Sequence, residues 1–234
     1  MNSLFRVMLI SVVALGSLKT QAHSIEDVET SLNEKERYAQ FVDLPAPQFD
    51  LTNSEGNTLS LAGLKGKTVV LNFLYTRCTE ACPLHMNVIR QLQTAVEEEG
   101  LSDDVIFITI ATDREDVAGT RENMRAYGKN FDLNPGNWHF LYRARDEPPG
   151  LTSELSQAYG VQFTDTGDGV QVHGVVTHVI DPAGRMRARF HGLKFQPEHL
   201  VTYLKAIAIG PNAAADDGFW SRLHGRIEGL IQSE

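Results

Sequence analysis

Cys78 and Cys82 are the only two cysteines in a chain of 234 residues that also carries eight histidines. Two sulfurs at this spacing suit one of two chemistries. As thiolates they are soft donors for Cu(I), and as a pair they can close and reopen as a disulfide. A bridge this short encloses too small a loop to staple a large domain, so reactivity is the expected role. The gap of three residues differs from the two-residue gap of a thioredoxin-type redox motif. It also lacks the Cys-x-x-Cys-His of haem attachment, and there is no second cysteine pair for structural zinc.

A copper site would need a third donor, most naturally imidazole, from among His23, His85, His139, His173, His178, His191, His199 and His224. His85 follows Cys82 by three helical positions, a rotation that turns it away from a site centred before the helix. His173 and His178 lie five apart on one expected strand and so face opposite sides of it, which lets only one of them meet the cysteines. His23 would become the first residue of a processed chain, where its amine and imidazole are a further pair of donors.

The cysteines sit where a strand should hand over to a helix. Thr68 to Tyr75 is β-branched and apolar, as is Val105 to Ala111, and both read as central strands covered on two faces. Between them Pro83 to about Glu99 carries Leu84, Val88, Leu92 and Val96 at helical spacing. With Pro83 at the first helical position, Cys82 lies against the unpaired amides and the positive dipole end, which favour its thiolate.

Strand and helix patterns then alternate. Phe49 to Leu61 reads as a hairpin about Asn53-Ser-Glu-Gly56, Asp116 to Tyr127 as a helix, Trp138 to Tyr142 as a strand and Leu151 to Tyr159 as a helix. After Gly167-Asp-Gly169, the strands Val170 to Ile180 and Arg185 to His191 are joined by the turn Asp181-Pro-Ala-Gly184, and a helix follows from Pro197 to Ile209. The expected fold is a central mixed β-sheet flanked by helices.

The ends read differently. Residues 1–22 have Arg6, an apolar run of about ten residues and small residues at Thr20 and Ala22, the pattern of a cleaved export signal and too short for the roughly 20 residues of a membrane span. Residues 23–44 are polar without a sustained period and are expected to be a linker or arm. Residues 210–234 place Phe219, Trp220, Leu223, Ile227, Leu230 and Ile231 on one helical stripe, expected to dock on the domain, with a partner or membrane contact as the other uses of such a face. An exported, periplasm-like setting oxidises thiols, which sharpens the interest of the cysteine pair. The net charge of −9 leaves no basic surface for nucleic acid.

Three stretches together resemble the Sco/SenC family of copper-binding cytochrome oxidase assembly proteins over roughly residues 45–208. They are Phe73-Leu-Tyr-Thr-Arg-Cys78-x3-Cys82-Pro83, the strand followed by Asp113 and Asp116, and Val172-His173-Gly-Val-Val-Thr-His178-Val-Ile-Asp181-Pro-x-Gly184. The resemblance implies a thioredoxin-like fold. It implies Cys78, Cys82 and His173 as copper ligands, because the family's distal histidine stands eight residues before its Asp-Pro-x-Gly turn, and it leaves His178 to packing. An acidic loop near the site would hold Asp113 and Asp116. Thr79-Glu80 departs from the proline that family members carry after the first cysteine.

The function this implies is a copper chaperone that receives Cu(I) or Cu(II) and passes it to a copper enzyme or oxidase subunit, with a thiol reductant protein keeping the cysteines open. The alternative is a thiol-disulfide oxidoreductase in which Cys78 and Cys82 are the catalytic redox pair.

Overall fold

The computed structural model describes residues 24–114, 117–165 and 171–209. The leader, His23, Asp116, the Gly167-Asp-Gly169 loop, His224 and the tail 210–234 lie outside the described residues.

Seven residues from Thr68 to Leu74 form β4, buried along its whole length, and Val105–Ala111 form β5 beside it in parallel, with Phe73 opposite Ile110 and Leu74 opposite Ala111. These β-branched runs occupy the middle of the sheet because both faces are covered. Val70, Leu74, Val105 and Phe107 face one core, while Val69, Leu71, Phe73, Ile108 and Ile110 face a second. The connection between the strands is α2 (Ala81–Glu98), which buries Cys82, Met86, Ile89, Leu92 and Val96 along one stripe against the first core. From β5 the chain passes through α3 (Val117–Asn130) to β6 (Trp138–Tyr142), which adds to β5 in parallel.

Antiparallel strands extend the sheet on both sides. Beyond β6 lies the hairpin of β2 (Asp50–Asn53) and β3 (Thr58–Ser60), whose turn is closed by the Asn53 side chain accepting from the amides of Glu55 and Asn57, with Gly56 at φ 95°. On the other side β9 (Val176–Ile180) pairs with β4, and β10 (Arg185–His191) pairs with β9. The β9–β10 turn is held by the Asp181 carboxylate, which accepts from the amides of Ala183 and Arg185, and by Gly184 at φ 83°. The eight strands run in the order β1-β10-β9-β4-β5-β6-β2-β3, with β1 spanning Ala39–Pro45. Helices α4 (Leu151–Ala158) and α5 (Pro197–Ile209) complete a thioredoxin-like fold with the expected mixed sheet between helical layers.

Two expectations are corrected. Residues 23–44 are not a plain linker, because Ile25–Lys35 form helix α1 and β1 becomes the edge strand beside β10. The helix starts in a capping box: the Asp27 amide donates to the Ser24 hydroxyl and the Ser24 amide donates to the Asp27 carboxylate. Its apolar face is only Val28 and Leu32 with Ile25 beside them, too few for a visible period. Buried polar contacts supply the rest of the hold. Glu36 accepts from the amides of Tyr38 and Gln196 and pairs with His199, and Glu29 pairs with Arg187 and accepts from the Tyr203 hydroxyl.

The single strand expected over Val170 to Ile180 is broken at Gly174-Val175. Gln171–His173 form β8, which pairs with β7 (Phe163–Asp165) in a separate two-stranded sheet, and the main ladder resumes only at Val176. Val175 instead accepts from the Gly192 amide through its carbonyl, 2.8 Å away.

If α1 belongs to the core, truncating its most buried side chain must be costly. Leu32 is 1% exposed, and Leu32→Ala is expected to lower stability by about 2–5 kcal/mol in chemical denaturation. A loosely attached arm would give no change.

Candidate metal centre

β4 ends at Leu74 and α2 begins at Ala81, so the cysteines are presented by the loop between them and by the helix's first turn. The loop opens with a turn in which the Cys78 amide donates to the Tyr75 carbonyl at 3.0 Å. Four residues later the Cys82 amide donates to the Cys78 sulfur at 3.3 Å. The two cysteines are unbridged thiols, Cys78 half-buried and Cys82 fully buried.

This differs in two respects from the reading of the sequence: the helix starts earlier, and the Cys82 thiolate is disfavoured where the helix start was expected to favour it. Ala81, not Pro83, takes the first helical position, and Pro83 stands third, where its missing N–H falls among amides that have no partner within the helix. Cys82 is therefore inside the first turn. Its own amide serves the other sulfur, while burial pushes its thiol well above the ordinary range, helped by the adjoining Cys78 and by Asp113.

Asp113 holds the loop in place. Past the end of β5, Thr112 continues the strand pairing by donating both its amide and its hydroxyl to the Leu74 carbonyl. That brings the Asp113 carboxylate, 3% exposed, beneath the cysteine loop, where it accepts from the Thr76 amide at 3.0 Å and the Thr76 hydroxyl at 2.6 Å. The Tyr142 hydroxyl donates to the Asp113 backbone carbonyl. Burial raises the Asp113 carboxyl above its usual range, and the Thr76 bonds and the Arg77 charge pull the other way. Arg77 is exposed and lies over the Tyr75 ring, 5.1 Å from its centroid.

Two histidines, His85 and His178, are held by buried contacts. His85 is buried on α2, as Cys82 is, with its Nε2 2.9 Å from the Thr177 hydroxyl. His178 is enclosed between the Phe73 and Tyr159 rings, its Nε2 3.1 Å from the Tyr159 carbonyl and its Nδ1 3.3 Å from that of Leu71. It packs against the end of α4, as expected of the histidine not assigned to copper. His173 ends β8 at the register position opposite Phe163. Among the described residues no three His, Cys, Asp or Glu side chains converge as a metal cluster.

Residues that the sequence reading passed over also reach the site. Thr76 is the donor to Asp113, and Asn123 of α3 donates its Nδ2 to the Thr76 hydroxyl at 3.2 Å. Tyr127, one turn further along α3, is nearly buried. Its phenol is pushed up first by burial and then by the charges of Cys82, Cys78 and Asp113. Thr76 adjoins the cysteine segment, a visible signal; Asn123 and Tyr127 have none, since only the fold brings α3 beneath the loop.

Comparison with known proteins agrees on the region involved. The SCO1/SenC family model matches residues 38–208. A SCO1 protein homolog of Bacillus subtilis is 23% identical over 149 residues, covering 64% of this chain and 75% of that protein. A thiol-disulfide oxidoreductase, ResA, of Bacillus thuringiensis is 23% identical over 210 residues, covering 87% and 95%. The structure of Bradyrhizobium japonicum ScoI with copper bound superposes with a TM-score of 0.55 at 27% identity, covering 69% of this chain and 98% of that one.

His178 gives the folded chain a dependence on pH that can be measured. Burial lowers its pKa from 6.5 to about 4, so the unfolded chain takes up a proton below pH 6.5 that the folded chain refuses until near pH 4. Stability present in full above 6.5 is thus lost as pH falls through this window, by about 3 kcal/mol from this residue. Denaturation of His178→Gln at pH 7 and pH 4 is expected to show a smaller difference than wild type by about that amount. Equal differences would mean that His178 titrates alike in both states.

Proposed function

We propose, from the premise that this chain belongs to the SCO1/SenC family, that it is an exported copper carrier. Cys78, Cys82 and His173 hold its cargo and surrender it to a copper enzyme, an oxidase subunit by analogy with the family. The observation that carries the reading is the meeting of two unbridged thiols at the start of α2, one buried and one half-exposed, with the Cys82 amide donating to the Cys78 sulfur. Two sulfurs and one imidazole suit Cu(I), and three ligands leave room for an incoming donor from the recipient. His173 is the third ligand that the family resemblance implies, and the buried contacts of His85 and His178 are consistent with that choice. The copper-bound relative supports the choice of metal.

On loading, Cys78 and Cys82 each lose a proton as the Cu(I)–sulfur bonds form, and the high proton affinity of buried Cys82 makes uptake depend on pH. Release reverses this: recipient ligands would bond to the metal in turn as Cys78, the accessible sulfur, leaves first and Cys82 and His173 follow, each thiolate taking back a proton. Among the described residues no helix is long and apolar enough to cross a membrane. We further propose cleavage of residues 1–22 and an amphipathic tail over 210–234, on either side of a domain that takes in α1 and β1.

The unequal burial of the cysteines and the ResA likeness favour a second reading, thiol-disulfide exchange. The Cys78 thiolate attacks a client disulfide and expels one client thiolate. The Cys82 thiolate then attacks Cys78 and expels the other, so the client is reduced to two thiols as Cys78–Cys82 is oxidised.

Competition for Cu(I) against a chelator, on the fully reduced protein, separates the two. The carrier reading expects one equivalent held by wild type and weakened at least tenfold in Cys78→Ser, Cys82→Ser and His173→Ala. Retention that ignores His173, alongside intact disulfide exchange, would move the assignment to the oxidoreductase.

A further inference from the structure

We propose that Asn123 of α3 is a positioning residue for the cysteine site, acting through Thr76; the inference rests on the copper-carrier reading above. The Thr76 hydroxyl has one proton, which it donates to Asp113 at 2.6 Å. Its oxygen is then an acceptor in a nearly closed environment, Thr76 being 7% exposed, and the Asn123 amide donates to it at 3.2 Å. The bonds run in one direction, from Asn123 to Thr76 to Asp113, and a hydroxyl that accepts becomes a stronger donor. The Asn123 bond therefore tightens the grip of the Thr76 hydroxyl on Asp113.

The position of that grip gives it its effect. Thr76 lies two residues before Cys78, inside the turn whose far end is the Cys78 amide on the Tyr75 carbonyl. A shift of Thr76 is a shift of the Cys78 sulfur relative to Cys82, which is fixed independently by the first turn of α2. Helix α3 thus sets the separation of two sulfurs that it does not touch through Asn123. The same helix buries Thr120 one turn before and Tyr127 one turn after, so Asn123 stands in a face already packed and is held in register with the loop.

The test uses two substitutions with ordered effects. Asn123→Leu removes the donor. Asn123→Asp keeps the shape but sets a second carboxylate against the Thr76 hydroxyl, so that two acceptors compete for one proton. Glu122→Gln, exposed on the neighbouring position of α3, is the control. On the reduced full chain, Cu(I) competition is expected to weaken about tenfold for Asn123→Leu and further for Asn123→Asp, with Glu122→Gln unchanged. The sulfur-to-metal charge-transfer band of the freshly formed Cu(II) complex is expected to move in the same order, a change that a loss of thermal stability alone would not produce.

Wild-type affinity and band position retained in both Asn123 variants would overturn the inference and leave the carrier reading standing. Absence of competitive copper binding by wild type would sink the carrier reading instead. The positioning role is then decided by the iodoacetamide alkylation rate of Cys78 in the metal-free protein, where a several-fold change in the Asn123 variants upholds it and an unchanged rate overturns it.

Discussion

A carboxylate placed where water cannot reach it must find its hydrogen bonds in the protein, and for Asp113 the amide and the hydroxyl of Thr76 supply two of them. That requirement joins the end of β5 to the loop that leaves β4. The parallel pairing of these strands brings their carboxyl ends level, as the partnership of Leu74 with Ala111 records, and the two bonds convert that coarse alignment into a fixed loop. The same carboxyl ends of parallel strands are where α/β sheets habitually build their sites. The tied loop presents one half-buried sulfur and one fully buried, with the Cys82 amide on the first.

Much of this arrangement was legible in the residues, because the signals were local. The apolar run of β4 and β5 needs two covered faces, the spacing of Leu92 and Val96 needs a helix, and Asp181 with Gly184 needs a turn. The resemblance to the Sco/SenC family supplied the thioredoxin-like arrangement of those elements. What escaped was non-local. Helix α1 has too few apolar residues to show a period, and its hold comes from Glu29 and Glu36 reaching Arg187, Tyr203 and His199, residues far along the chain. Its capping box, Ser24 with Asp27, was the one local cue.

The cysteine segment divides in the same way. The handover from strand to helix was readable, but an offset of two residues in the helix start changed which sulfur receives the amide. The break at Gly174 was also invisible to alternation. Val170 to Ile180 reads as one strand, whereas Val176 pairs with His191 of β10 in the main sheet and His173 pairs with Phe163 in another. This separation removes the geometric argument that His173 and His178 share a strand and must oppose one another. The proposal that His173 binds copper rests instead on the family likeness, with His178 enclosed by Phe73 and Tyr159.

The unequal depth of the two sulfurs also determines how the protein ages. An oxidant arriving from solvent meets Cys78 first, and its first product is a sulfenic acid, the last stage from which a thiol is readily recovered. With the Cys82 amide on that sulfur, the second thiol is placed where it would condense with it, releasing water and closing a disulfide before further oxygen is added. The buried cysteine would thereby guard the half-buried one, diverting damage that is permanent on a lone surface thiol into a bond that a reductant can reopen.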